Sequence, residues 1–169
     1  MRGPDTRGLD PESLPDHVGR LYRAAYGLCG SPQDAEDLVQ DTFERVLRRP
    51  RFLRNKEHDL AYLMSVMRNT WISNRRTRRP DAVGVEPEDL AAVAVTPGDP
   101  VVGHVVEAGA VYDALAALSD PLRETVVAVD IVGLSYREAA QALGTKEGTI
   151  MSRLHRARSQ LAAAIEADA

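Results

Sequence analysis

Apolar residues recur at intervals of three and four along most of this chain, and no stretch alternates apolar and polar residues as a half-buried strand would. The pattern predicts an all-α protein. From about residue 16, Val18, Leu21, Tyr22, Ala25 and Leu28 share one helical face, and Gly30 marks the stop. A second helix starts at once. Ser31 suits the N-cap, Pro32 suits the first helical position, and Asp34 follows Ser31 by three residues. Over residues 34–48, Ala35, Leu38, Val39, Thr42, Phe43, Val46 and Leu47 form an apolar stripe, and Pro50 limits the far end. Residues 50–58 read as a polar, basic loop around Phe52 and Leu53. Asp59 then caps a third helix over residues 60–79. Leu60, Leu63, Met64, Met67 and Trp71 mark its buried side, and Tyr62, Val66, Asn69, Ser73 and Arg76 mark another, until Pro80 ends the pattern.

Helical periodicity resumes near residue 111. Val111, Leu115 and Leu118 predict one short helix, and Asp120-Pro121 starts another that Gly133 ends. Ser135 and Glu138 form a capping box, Gly144 stops that helix after Leu143, and Thr145 caps a last helix running to about Ala164. Residues 134–161 have the layout of a helix-turn-helix. Tyr136, Ala139, Ala140 and Leu143 face inward on a short first helix, Gly144 supplies the turn, and Ile150, Leu154, Ala157 and Leu161 make the apolar face of the second. The other face offers Lys146, Glu147, Thr149, Ser152, Arg153 and Arg156, whose side chains can reach base edges and phosphates from a major groove. An ordinary antiparallel helix pair with a charged outer face has the same pattern, and spacing alone leaves both readings open.

Charge divides the chain further. Its net charge is −4, yet residues 1–79 hold 15 basic against 11 acidic residues, residues 80–110 hold six acidic and no basic residues, and residues 111–169 hold six basic against eight acidic. The acidic middle also contains Pro80, Pro87, Pro97 and Pro100, and it reads as a flexible linker over 80–110. Residues 1–15, with Gly3, Pro4, Gly8, Pro11 and Pro15, read as a poorly ordered leader. Two small helical domains are expected, at 16–79 and 111–165. No run of about 18 apolar residues suggests a membrane span, and the N-terminus lacks the apolar core of a signal peptide. With a single cysteine, Cys29, no internal disulfide or cysteine zinc cage is available, and a cytoplasmic protein without metal or cofactor is expected. Cys29 suits buried filler at its helical spacing, although a redox role is the other reading. The four histidines are scattered, no nucleophile–base pair or phosphate loop is legible, and the chemistry expected is binding, not bond-making.

Two features of the N-terminal half point to partners. The helix at 34–48 carries Asp37, Asp41 and Glu44 on one face with Glu36 and Gln40 beside them, a surface that suits a basic protein partner as well as plain solvent. The helix at 60–79 combines Tyr62, Asn69, Trp71 and Asn74 with Arg68, Arg75, Arg76, Arg78 and Arg79. Arginines neutralise phosphates, while aromatic rings and amides can contact unpaired bases. Trp71 continues the Leu60–Met67 stripe and reads as core before it reads as a base contact.

On these residues the chain resembles the extracytoplasmic-function (ECF) class of bacterial RNA polymerase sigma factors. DAEDLVQDTFERVL is similar to the region-two helix that docks on core polymerase. AYLMSVMRNTWISNRRTRR resembles the helix that opens and reads the −10 element, and GLSYREAAQALGTKEGTIMSRLHRAR resembles the region-four helix-turn-helix that reads the −35 element. The resemblance implies an all-α protein with a region-two bundle and a region-four helix-turn-helix. It places Asp37, Leu38, Gln40, Asp41 and Glu44 at core polymerase. It assigns the loop at 53–59, with Arg54, Asn55, Lys56 and His58, to a flipped −10 base, with Tyr62 and Asn69 beside the opened strand. It gives Arg75, Arg76, Arg78 and Arg79 the −10 backbone, and Lys146, Glu147, Thr149, Ser152, Arg153 and Arg156 the −35 groove. Core RNA polymerase, promoter DNA and an anti-sigma factor are the implied partners, with no membrane insertion. Tyr62, Trp71, Asn74 and Met151 depart from the usual pattern and bear on promoter preference. The alternatives are a helix-turn-helix regulator with a helical partner-binding domain, for which no receiver or ligand pocket is legible, and a protein-only adaptor, against which the arginine cluster argues.

The resemblance routes the acidic linker through the polymerase cleft toward the RNA exit path, where its six acids stand in for nucleic-acid charge. Replacing them with amides is expected to change the ratio of abortive to full-length transcripts made with core polymerase.

Overall fold

The structure is a computed structural model, and it describes residues 7–8, 11–48, 52–53, 59–78 and 109–168. Among the described residues, seven α-helices carry the fold: α1 (Leu14–Cys29), α2 (Pro32–Arg48), α3 (Asp59–Thr77), α4 (Gly109–Ala117), α5 (Asp120–Val126), α6 (Tyr136–Leu143) and α7 (Glu147–Asp168). The linker reading falls almost wholly outside the described residues, as do the loop positions Arg54, Asn55, Lys56 and His58 and the helix-end position Arg79.

The local signals work as their chemistry requires. Gly30, Gly133 and Gly144 all adopt positive φ, the backbone that ends a helix cleanly where no Cβ intervenes. Ser31 Oγ accepts from the Asp34 amide at 3.1 Å, opening α2. Ser135 and Glu138 close both arms of the capping box, at 3.2 Å and 2.8 Å. Thr42, Thr70 and Thr125 lie inside apolar stripes because each hydroxyl donates to the carbonyl four residues back, at 2.6, 2.8 and 2.7 Å.

Several expectations change. Pro15 belongs to the first turn of α1, where its missing amide costs nothing, and a short 3-10 turn at Pro11–Ser13 precedes it. The leader is therefore structured from residue 11. Two-residue strands β1 (Arg7–Gly8) and β2 (Phe52–Leu53) pair antiparallel, joining the leader to the segment read as loop; two residues are too few to show alternation. The start at Asp120-Pro121 is as expected, with Ser119 as the N-cap of α5. The last helix begins at Glu147, two residues after Thr145, and extends to Asp168. Leu47 (53% exposed), Val18 and Val111 lie outside the core. Tyr136 is 39% exposed, since it opens the first turn of α6 and stands beside the Arg158–Asp130 pair.

Between α5 and Gly133 the helix widens into a π segment, Val127–Ile131, with the Val132 amide bonded to the Val127 carbonyl at 2.9 Å. That segment is where the halves of the chain meet. α1 packs on α4 and the π segment, and α3 packs on α6. Leu21 and Leu28 of α1, Leu63, Met64 and Met67 of α3, Leu115 of α4 and Val127 are fully buried in one continuous apolar cluster. Tyr26 and Tyr112 meet edge to face across the seam, with ring centroids 4.7 Å apart.

Gly27 sets how closely α1 approaches the π segment. A Cβ there would lie 3.0 Å from Val127 Cγ2 and 3.2 Å from Ile131 Cδ1. The Gly27→Val substitution is expected to overpack the seam and cost about 1–3 kcal/mol, read as a lower urea midpoint in equilibrium unfolding.

Candidate nucleic-acid and polymerase surfaces

The acidic face of α2 is present, with internal bonds. Asp37 and Glu44 are exposed. Glu44 accepts from Gln40 at 3.5 Å and from Arg48 at 3.3 Å, both i,i+4 contacts along an exposed helix. Asp41 is half-buried because the Asn74 amide of α3 donates to it at 3.1 Å. Leu38 is 2% exposed: it stands under this face in the core, not on it.

On α3, Asn69 and Arg76 are exposed, while Tyr62 is half-buried and packs against the core. Trp71 is buried, as its place in the apolar stripe requires, with the Arg75 guanidinium 4.8 Å from its ring centre. Arg75 also pairs with Asp120 of α5 at 2.5 Å. Arg78 pairs with Asp34 of α2 at 3.0 Å. A cleft of about 270 Å³ lies at this junction, lined among others by Cys29, Asp37, Trp71, Asn74, Arg78 and Arg123.

Sequence reasoning missed the residues that tie the halves together. Arg68 donates to Glu124 at 2.8 Å, and Glu124 is only 5% exposed. Arg123 donates to the Leu115, Ala116 and Leu118 carbonyls at 3.0, 2.6 and 3.0 Å, and to the Leu28 carbonyl of α1 at 3.2 Å. One guanidinium therefore caps the C-terminal ends of two helices, where unpaired carbonyls and the negative dipole end favour a cation. Such donors belong to no motif; the nearest sequence signal is a basic residue four positions after a helix N-cap.

In the helix-turn-helix, Ile150, Leu154 and Ala157 of α7 are buried against α4, α5 and α6. Arg158 holds α7 to the π segment through a two-pronged pair with Asp130, at 3.1 and 2.6 Å, which raises the Arg158 pKa. Lys146, Glu147, Ser152 and Arg156 are exposed, while Thr149 and Arg153 are half-buried toward the edge of the face. Met151 (56% exposed), the departure tied to promoter preference, shares the open face with Gly148 and His155, which were not among the expected residues. An outward Gly or His belongs to no motif, and only the register of the buried residues reveals them.

Cys29 is half-buried beneath α2, its thiol 3.8 Å from the Asp34 carbonyl. Burial, reinforced by Asp34, pushes its pKa up to about 12. Its place is that of packing, since the reactive form is the thiolate. Relative to an ordinary thiol, alkylation by iodoacetamide at pH 8 is expected to be roughly a thousandfold slower in the folded protein, and to recover in denaturant.

Comparison with known proteins matches this layout. The sigma-70 region 2 family matches residues 16–80, and the sigma-70 region 4 family matches residues 108–161. The chain is 38% identical over 152 residues to the ECF RNA polymerase sigma factor SigE of Mycolicibacterium smegmatis, covering 89% of this chain and 59% of that protein. It is 33% identical over 151 residues to EcfG of Rhodopseudomonas palustris, covering 89% of this chain and 82% of EcfG. Among solved structures, the sigma factor RpoE bound to the anti-sigma factor NepR from Bartonella quintana aligns with a TM-score of 0.69 at 28% identity, covering 94% of this chain and 97% of that one. CnrH, solved with the cytosolic domain of CnrY, aligns at 0.65 and 26% identity, covering 94% and 88%. With both sigma regions matched in order and relatives of this identity along most of its length, the chain belongs to the ECF class of RNA polymerase sigma factors.

Proposed function

We propose that this chain directs core RNA polymerase to a set of promoters by three contacts. The exposed acids of α2, Asp37 and Glu44 with Asp41 and Gln40, dock on a basic surface of core polymerase, where complementary charge fixes register and speeds encounter. The loop at 53–59, Tyr62 and Asn69 receive the unstacked −10 bases, and Arg75, Arg76, Arg78 and Arg79 hold the strand's backbone. α7 reads the −35 element through Lys146, Glu147, Thr149, Ser152, Arg153 and Arg156. The observation that carries this reading is the pairing of an open, arginine-bearing recognition face on α7 with a separate arginine-rich helix end on α3. A protein-only adaptor needs neither.

The energetics favour a subunit that works only in company. Residues 111–169 carry more acidic than basic residues, so phosphate neutralisation gives this half weak affinity by itself. Unstacking a base costs a few kcal/mol, which a pocket and stacking roughly offset. Two modest DNA contacts gain avidity when core polymerase holds both in reach. The work is binding and strand opening, with no bond made by the chain itself. The solved relatives were captured with the anti-sigma factors NepR and CnrY, and we assign an anti-sigma partner to this chain by the same likeness.

Transcription from a genomic-fragment library with purified core polymerase tests the proposal. Transcripts that start at defined positions and need this protein are expected. Arg156→Ala is expected to lower initiation by about 1–3 kcal/mol of recognition, roughly five- to 150-fold, while co-elution with core polymerase stays unchanged. Starts that ignore this protein would refute the reading.

A further inference from the structure

The open face of α7 carries one long side chain whose chemistry differs from that of its neighbours. Met151 is 56% exposed, while Ile150 and Leu154 hold the inward side of the helix in the core. At about 3.6 residues per turn, Gly148 and Ser152 lie along the middle of the open face. Thr149, Arg153 and Arg156 flank that strip on one side, and Met151 and His155 flank it on the other. The strip itself is low. A Cβ at Gly148 would meet nothing within 4 Å, and the Ser152 hydroxyl turns back to donate to the Thr149 carbonyl at 3.1 Å. An apolar side chain therefore borders a surface with little relief of its own, where the helix can approach base edges closely.

We propose that Met151 covers the C5 methyl group of a thymine in the −35 element, so that this chain selects for that methyl at one base pair. This rests on the reading of α7 as the −35 helix. A thioether donates no hydrogen bond and accepts only weakly. Against a guanine, an adenine or a cytosine amine it would displace water from polar groups and give nothing back, a cost that counts against those bases. The major groove of unmodified DNA offers one apolar group, the thymine methyl. Methionine suits it, being unbranched, polarizable and adaptable in shape. The two flanks then divide the work. Arg153 and Arg156 supply charge and hydrogen bonds, which salt weakens. Met151 supplies an apolar contact that is indifferent to salt and depends on a single carbon atom of the DNA. Cytosine methylated at C5 presents the same group at the same place in the groove, so it satisfies Met151 where plain cytosine does not.

The test measures binding of the full chain with core polymerase to a synthetic promoter duplex taken from the mapped transcript starts. Each thymine of the −35 element is replaced in turn by deoxyuridine, which removes the C5 methyl and keeps every hydrogen-bonding group. At one position the replacement is expected to weaken binding about fourfold, the worth of burying one methyl. Met151→Ala is expected to lose a similar amount on the thymine duplex and to bind the deoxyuridine duplex no worse. Met151→Leu is expected to keep the preference for thymine. The salt dependence of Met151→Ala is expected to match wild type, because no phosphate loses a cation. With cytosine at that position, methylation at C5 is expected to restore about fourfold in wild type and nothing in Met151→Ala. The proposal is overturned if the −35 element contains no thymine, if every deoxyuridine duplex binds as its parent does, or if Met151→Ala loses as much as wild type on the same replacement, while Arg156→Ala still weakens binding. If Arg156→Ala binds as wild type does, the −35 reading of α7 itself fails.

Discussion

Helix ends leave carbonyls without partners, and in this fold one guanidinium satisfies them for two helices at once. Arg123 reaches the Leu115, Ala116 and Leu118 carbonyls at the end of α4 and the Leu28 carbonyl at the end of α1. The first three bonds shape the turn from α4 into α5. The fourth fastens that turn to the other half of the chain. Arginine alone has enough donors in a fixed plane to do both. Around this point the seam is apolar: Gly27 admits Val127 and Ile131, and Tyr26 meets Tyr112 edge to face. Farther out it is ionic, through Arg68–Glu124 and Arg75–Asp120.

This gradation gives the seam its character. The apolar centre adds to a core that each half already possesses, because α1–α3 pack on one another, as do α4–α7. The ionic margin adds charged pairs at the edge of that centre, Arg68 with Glu124 and Arg75 with Asp120. On the α2 and α7 faces, Asp37, Glu44, Lys146, Glu147 and Arg156 stay exposed.

Much of this was legible in the residues, wherever the controlling interaction is local. The Ser31 and Ser135 caps, the positive-φ stops at Gly30, Gly133 and Gly144, and the buried register of Ile150, Leu154 and Ala157 each depend on neighbours within about four positions. Trp71 and Cys29 read correctly as packing residues from periodicity. Periodicity failed at helix ends and seams. Leu47, Val111 and Tyr136 fit an apolar stripe yet stay exposed, because a stripe at the first or last turn can run past the partner it would cover. Gly148 and His155 were missed for the opposite reason: neither residue type by itself marks an outward face.

By itself, then, the sequence determined the helices, their caps and stops, the helix-turn-helix and the family, since spacing and turn chemistry act along the chain. Tertiary structure alone decided which arginines face solvent and which are taken. Arg75 and Arg76 are adjacent, yet one is bound to Asp120, 45 positions away, and the other is exposed. The same holds for Arg123 and for the Arg68–Glu124 pair, whose members lie 56 positions apart. A charge's partner across a seam depends on how two helices cross, and no periodicity within either helix encodes that.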